Sequence, residues 1–225
     1  MIRVNAVSKS FGGRLVLDKV TLEVPENSIA VIVGALGSGK SVLLRIMAGL
    51  LTPDSGSVEY DGGRGTGEMS THVGYVFQSG ALFDSMTVWE NVALPLAETQ
   101  RIDKKELIRR VVATLQRVGM ADAVTLLPRQ LSGGMSRLVA IARSIVTDPR
   151  YVFLDEPTAG LDPATRSRVV ELIRSLRENE GRTCVVVTHD LETANVLADR
   201  LYMLRNARLE QVGQVRKEDY ETPCT

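Results

Sequence analysis

Aromatic residues are scarce in this chain, at 4% of 225 residues with a single tryptophan. That scarcity leaves few platforms for stacking bases and few anchors for a membrane interface. Net charge is missing as well. The 27 basic and 27 acidic side chains cancel at neutral pH, so no overall positive field exists to hold a nucleic-acid backbone, and no nucleic-acid partner is expected. Long apolar runs are also absent. The longest, such as Ile29 to Val33 and Cys184 to Val187, fall far short of the ~20 residues that a spanning helix needs, so any membrane work belongs to a partner. Only two cysteines occur. Cys184 lies in an apolar, strand-like run, where a small buried hydrophobe is the ordinary role. The opening Met1-Ile2-Arg3-Val4-Asn5 has neither the apolar run nor the small-residue cleavage site of a secretory signal. Together these features predict a reducing, cytosolic setting.

What is present fits one large domain with a well-filled core, at 44% hydrophobic and 24% charged residues. Short β-branched runs recur at Val4 to Val7, Ile29 to Val33, Val73 to Phe77, Tyr151 to Leu154, Cys184 to Thr188 and Leu201 to Leu204. Several are apolar at every position, as strands covered on both faces are. Between them run helical stripes: Leu107, Ile108, Val111, Val112 and Leu115 form one, and Val169, Leu172, Ile173 and Leu176 another. Strands alternating with helices predict an α/β fold. Arg14 to Val24 and Ser57 to Asp61 are half-polar and bounded by turn residues, which predicts a small N-terminal antiparallel β layer. The stretch 86–146 contains no good strand and is expected to be a helical lobe inserted into a core made of 1–85 and 147–213. Gly62 to Gly67 reads as a surface loop, and 214–225 as a solvated tail.

Two segments carry chemistry. Gly34-Ala35-Leu36-Gly37-Ser38-Gly39-Lys40-Ser41 satisfies G-x-x-x-x-G-K-S between an apolar strand and the amphipathic run Val42 to Leu51. Its glycines let successive backbone N–H groups turn onto a phosphate chain, and the following helix presents its positive end. Lys40 is expected to reach the β- and γ-phosphates of a nucleotide, and Ser41 to place its hydroxyl on Mg²⁺. The second segment is Tyr151-Val152-Phe153-Leu154-Asp155-Glu156-Pro157, an apolar strand ending in two carboxylates. Such acids emerge at the carboxyl edge of an α/β sheet, where ligands bind. Asp155 is expected to hold Mg²⁺, and Glu156 to polarise an attacking water.

With Leu131-Ser132-Gly133-Gly134-Met135 added, the chain resembles the ABC ATPase family, whose signature peptide this segment looks like. In the family's order, Gln78 resembles the Q-loop glutamine, Ala159-Gly160-Leu161-Asp162 the D-loop and His189 the switch histidine. Phe11 stands where the family stacks an aromatic on adenine. The resemblance implies a RecA-like P-loop NTPase fold with a mostly parallel sheet, and ATP with Mg²⁺ as ligands. Gln78 joins Ser41 and Asp155 at the metal, and Glu156, His189, Lys40 and Gln78 form the catalytic set. The resemblance further implies that Ser132, Gly133 and Gly134 face the γ-phosphate held by a second copy, in a head-to-tail dimer closed around ATP. Partners and place follow from it too: an integral membrane permease on the inner face of the cell membrane.

The chain also departs from the family's pattern. Val42 stands where a second hydroxyl is common, Leu36 replaces a frequent serine, and Leu138 a frequent arginine; these changes bear on nucleotide affinity. Met135, together with Phe77-Gln78-Ser79-Gly80-Ala81-Leu82-Phe83, resembles the Mla-type, MlaF-like branch of lipid-transport ATPases. That implies a phospholipid cargo and a lipid-binding protein as a further partner. Ala81 to Val92 is then a docking face for the permease, or else its apolar members are core of the lobe. The alternatives are a soluble, non-transport ABC ATPase, and a regulatory module that senses nucleotide and scarcely hydrolyses it.

Overall fold

The computed structural model describes residues 1–61, 63–64, 73–99 and 102–213. Most of the glycine-rich excursion at Gly62 to Gly67 and all of the tail Gln214 to Thr225, with Cys224, lie outside the described residues.

Three strands open the chain: β1 (Ile2–Phe11), β2 (Arg14–Val24) and β3 (Ile29–Val33). After helix α1 (Lys40–Met47) come β4 (Ser55–Tyr60), β5 (Gly63–Arg64) and β6 (Val73–Val76). Three helices then intervene, α2 (Val88–Thr99), α3 (Lys104–Arg117) and α4 (Gly133–Ile145), before β7 (Tyr151–Asp155). After β7 come α5 (Pro163–Glu178), β8 (Thr183–Thr188), α6 (Leu191–Leu197), β9 (Arg200–Arg205) and β10 (Arg208–Val212).

The strands sort into two sheets. One has the order β10-β9-β3-β8-β7-β6. Its inner strands pair in parallel and only β10 runs antiparallel. Strands β3, β7 and β8 are buried at every position, which is why they read as unbroken apolar runs rather than alternating ones. The other sheet, β2-β1-β4-β5, is antiparallel and forms the expected N-terminal layer. The two faces of the large sheet feed separate cores. Val31, Val33, Val152 and Leu154 point to one with α2 to α6, while Ala30, Ile32, Tyr151 and Phe153 point to the other with α1 and the antiparallel layer. This is the α/β P-loop architecture expected from the sequence.

One expectation is corrected. The stripe on α3 is narrower than its spacing implied, because Val111 and Leu115 are buried whereas Ile108 and Val112 are exposed. Helix α3 packs on α2 and α4 from one side, and at 3.6 residues per turn these two positions rotate off that side. Of the apolar residues in the segment from Ala81 to Val92, Val88 and Val92 are core, Leu82 and Trp89 pack partly against it, and Phe83 stays 49% exposed.

Candidate functional site

Four neighbouring strands, β3, β8, β7 and β6, deliver their carboxyl ends to one edge of the sheet. From β3 comes the loop 34–39 leading into α1, and from β7 the pair Asp155–Glu156. His189 follows β8, and Gln78 follows β6.

The loop between β3 and α1 depends on glycine at two kinds of position. At Gly39 and Gly37 the backbone is left-handed, with φ 106° and 74°, a region costly for other residues. At Gly34 a Cβ would stand 2.5 Å from the carbonyl oxygen of Leu204, so only glycine lets the loop cross β9. Helix α1 begins with no side chain capping its first turn, which leaves its N–H groups and the positive end of its dipole for an anion. The loop borders a cleft of about 840 Å³ lined by Gly34, Ala35, Leu36, Gly37, Ser38, Gly39, Lys40, Ser41 and Val42, with Gln78 and Glu156 opposite. That volume suits a nucleotide-sized ligand. The hydroxyl of Ser38 is buried without any hydrogen-bond partner, an orphan that a bound phosphate oxygen can satisfy.

Lys40 is 5% exposed. Its Nζ donates to the carbonyls of Gly34 at 2.7 Å and Ala35 at 3.0 Å and lies 3.9 Å from Glu156 Oε1. Burial pushes its pKa below the ordinary lysine value, against the opposing charges of Glu156 and Asp155. Ser41 Oγ donates to Asp155 Oδ1 at 2.7 Å, so a hydroxyl and a carboxylate already converge. With the Gln78 side chain on the same cleft, these are hard oxygen donors few enough to leave room for waters and phosphate oxygens, which is the donor set Mg²⁺ takes.

Asp155 and Glu156 are 1% and 3% exposed. Glu156 is left-handed at φ 49°, a conformation held by its N–H donating to Val187 O at 2.9 Å. Its Oε2 lies 2.9 Å from His189 Nδ1 and accepts weakly from the His189 backbone N–H at 3.3 Å. A carboxylate only accepts, so this contact places the proton on Nδ1.

Not every expected residue reaches the cleft. Phe11 is 48% exposed, lies beneath Lys9 Nζ at 5.5 Å from its ring centre, and is not among the lining residues. Arg14, Leu15 and Val16 of β2 are. Ser132, Gly133 and Gly134, expected at a second copy's site rather than at this one, start α4 outside this cleft. Two buried or half-buried polar groups near the site went unread in the sequence. Tyr75 directs its hydroxyl at Asp155 Oδ2, 3.3 Å away, and burial, then the Asp155 charge, raises its pKa. Arg137 is buried on α4. Their only sequence signal is a polar group on an otherwise buried element.

Comparison with known proteins agrees with this geometry. The ABC transporter family profile matches residues 17–159, and the chain belongs to that family. It is 37% identical over 226 residues to the sulfate/thiosulfate import ATP-binding protein CysA of Mesostigma viride, covering 100% of this chain and 64% of that protein. The chain therefore spans less than two thirds of that relative's length. It is 36% identical over 223 residues to the intermembrane phospholipid transport system ATP-binding protein MlaF of Escherichia coli K12, covering 96% of this chain and 83% of that protein. Among solved structures, the dimeric post-hydrolysis state of the ATP-binding cassette MJ0796, bound to ADP and Pi, superposes with a TM-score of 0.87. It is 31% identical and covers 96% of this chain and 99% of that one.

Proposed function

We propose that this chain is the ATP-hydrolysing subunit of an ABC transporter, that two copies close head to tail around ATP, and that the pair drives an integral membrane permease. The observation that carries this reading is the convergence at one sheet edge of an uncapped phosphate loop, the Ser41–Asp155 contact and the Glu156–His189 contact. Lys40 exchanges the loop carbonyls for the β- and γ-phosphates, and the loop N–H groups hold the phosphate chain. Ser41, Asp155 and Gln78 hold Mg²⁺, which when bound neutralises charge on the phosphates. Glu156 orients the attacking water and accepts its proton, and His189 fixes the carboxylate that does so. Catalysis comes mainly from positioning at this edge of the sheet.

In this reading residues 1–85 and 147–213 form the ATP-binding core, 86–146 the signature lobe, and 214–225 a tail. Ser132, Gly133 and Gly134 complete the site of the other copy, and Phe11, which lies outside the cleft lining, is assigned to the adenine from the family resemblance alone. The chain works at the inner face of the membrane, bound to its permease. For the cargo we assign a phospholipid or related lipid, with a lipid-binding protein as further partner. Support comes from Met135, the string 77–83 and the breadth of the match to a phospholipid-system protein. Similar identity to a sulfate importer makes an anion cargo the competing outcome when the co-purifying permease is identified. For hydrolysis, Glu156→Gln is expected to lower steady-state phosphate release by ~10²- to 10⁴-fold, the usual contribution of a general base, while ATP still binds. Turnover unchanged in that variant would remove Glu156 from its role.

A further inference from the structure

Helix α4 carries a buried cation that the site described so far does not use. Arg137 is 9% exposed, and its Nη1 donates to the backbone carbonyl of Phe77 at 3.0 Å. Phe77 immediately precedes Gln78, and its carbonyl also accepts from Gly80 N–H at 2.8 Å. Arg137 thus clamps the oxygen that closes the turn bearing Gln78. The turn is pressed on the helix elsewhere as well: Arg143 donates to Gly80 O at 2.9 Å and Ala81 O at 2.7 Å. Gly74 of β6 has no room for a Cβ, which would stand 2.2 Å from Ser144 O. Arg137 and Arg143 thus hold the turn against the helix by three hydrogen bonds.

Charge points the same way. Asp155 and Glu156 are adjacent, buried carboxylates, and a buried pair of like charges needs compensation. Both carboxylates act on Lys40 and on Arg137, opposing the effect of burial on each. Burial draws the Arg137 guanidinium below its ordinary pKa, and the two carboxylates oppose that. On the hydrolytic reading, to which this inference is tied, Lys40 turns to the phosphates and Arg137 stays as the fixed countercharge. Leu138, where the family often has arginine, is buried at 3%; the charge in this chain sits one position earlier.

We infer that Arg137 is a positioning residue for ATP hydrolysis, acting through the Phe77 carbonyl to hold Gln78 at the cleft and tying that turn to the helix whose first residues are the signature peptide.

A double-mutant cycle with an exchange measurement tests it. Arg137→Met is expected to lower kcat by roughly 10- to 100-fold, the range of one charge-assisted hydrogen bond, with KM for ATP changed less than about 3-fold. Because the effect passes through Gln78, the same substitution in a Gln78→Ala background is expected to cost less than about 3-fold more. Arg137→Lys keeps the charge and an N–H donor for a single carbonyl, and is expected to recover most of the loss. Amide exchange at Gly80 is expected to speed at least ~10-fold in Arg137→Met while β8 and α5 stay protected. Additive losses in the cycle, unchanged Gly80 exchange, or faster exchange throughout the chain would each overturn the inference. A wild-type chain without turnover would instead defeat the hydrolytic reading, and Gly80 exchange would still decide the role of Arg137. If Arg137→Met does not fold, Arg137→Lys with native Gly80 protection supports the clamp, and lost protection in that variant contradicts it.

Discussion

Helices α1 and α4 both start at glycine-bearing segments, and their beginnings are built differently. At α1 the residue before the helix is Gly39, left-handed and without a capping side chain; the start is walled by β2, β9 and Glu156 into a cleft. At α4 Ser132 Oγ accepts from Met135 N–H at 3.2 Å, Ser132 and Gly133 face solvent, and a Cβ on Gly133 would meet nothing within 4 Å. Gly134, by contrast, is pinned, because its Cβ would stand 2.7 Å from Thr165 Cγ2 on α5. Both starts offer the same positive dipole end, yet one is enclosed and the other is an open half. On the proposed head-to-tail dimer, this open start is the half that a second copy would complete, and the fold is shared with a dimeric cassette.

Substitutions at the two starts sharpen that contrast. The largest effect is expected at the enclosed one: Gly39→Ala must place a side chain at φ 106° and 2.8 Å from Val16 Cγ1. Strain of that kind should weaken ATP binding by about 10- to 100-fold, measured by calorimetric titration. Next comes Gly134→Ala, which overpacks against Thr165 and should cost about 1–3 kcal/mol of stability in denaturant unfolding without touching ATP affinity in the monomer. Smallest is Val42→Thr, which returns a hydroxyl to the first turn of α1 and should tighten ATP binding by about 3- to 10-fold in the same titration. Equal responses at the two starts would erase the distinction.

Much of the enclosed start could be read from the sequence, because its chemistry is local. Gly34 to Ser41 sit side by side in the chain, and Ile29–Val33 and Tyr151–Asp155 are buried on both faces, so hydrophobicity alone reveals them. The antiparallel layer was also visible in outline, although β1 runs well past Val4 to Val7, to Phe11; its outer half is only partly buried, so apolarity fades before the ladder ends. What the sequence hid are contacts between distant elements. The Tyr75 hydroxyl at Asp155, the Arg137 clamp on Phe77 and the left-handed Glu156 depend on how strands and helices are stacked, and no spacing in the chain encodes that. The exposure of Ile108 and Val112 was misread for the same reason, since a helical stripe shows a face but not how much of it a neighbour covers.

The central claim, that the open start of α4 completes the enclosed site of another copy, is tested most directly by mixing two dead variants and measuring ATP turnover. Lys40→Ala destroys the enclosed site, and Gly133→Asp places a negative charge at the open one, in space the fold leaves free. Each variant alone should be inactive, while the mixture, in which one intact site forms between unlike copies, should turn over ATP well above the sum of the two. Near-normal turnover by Gly133→Asp alone, or a mixture no better than that sum, would contradict the claim.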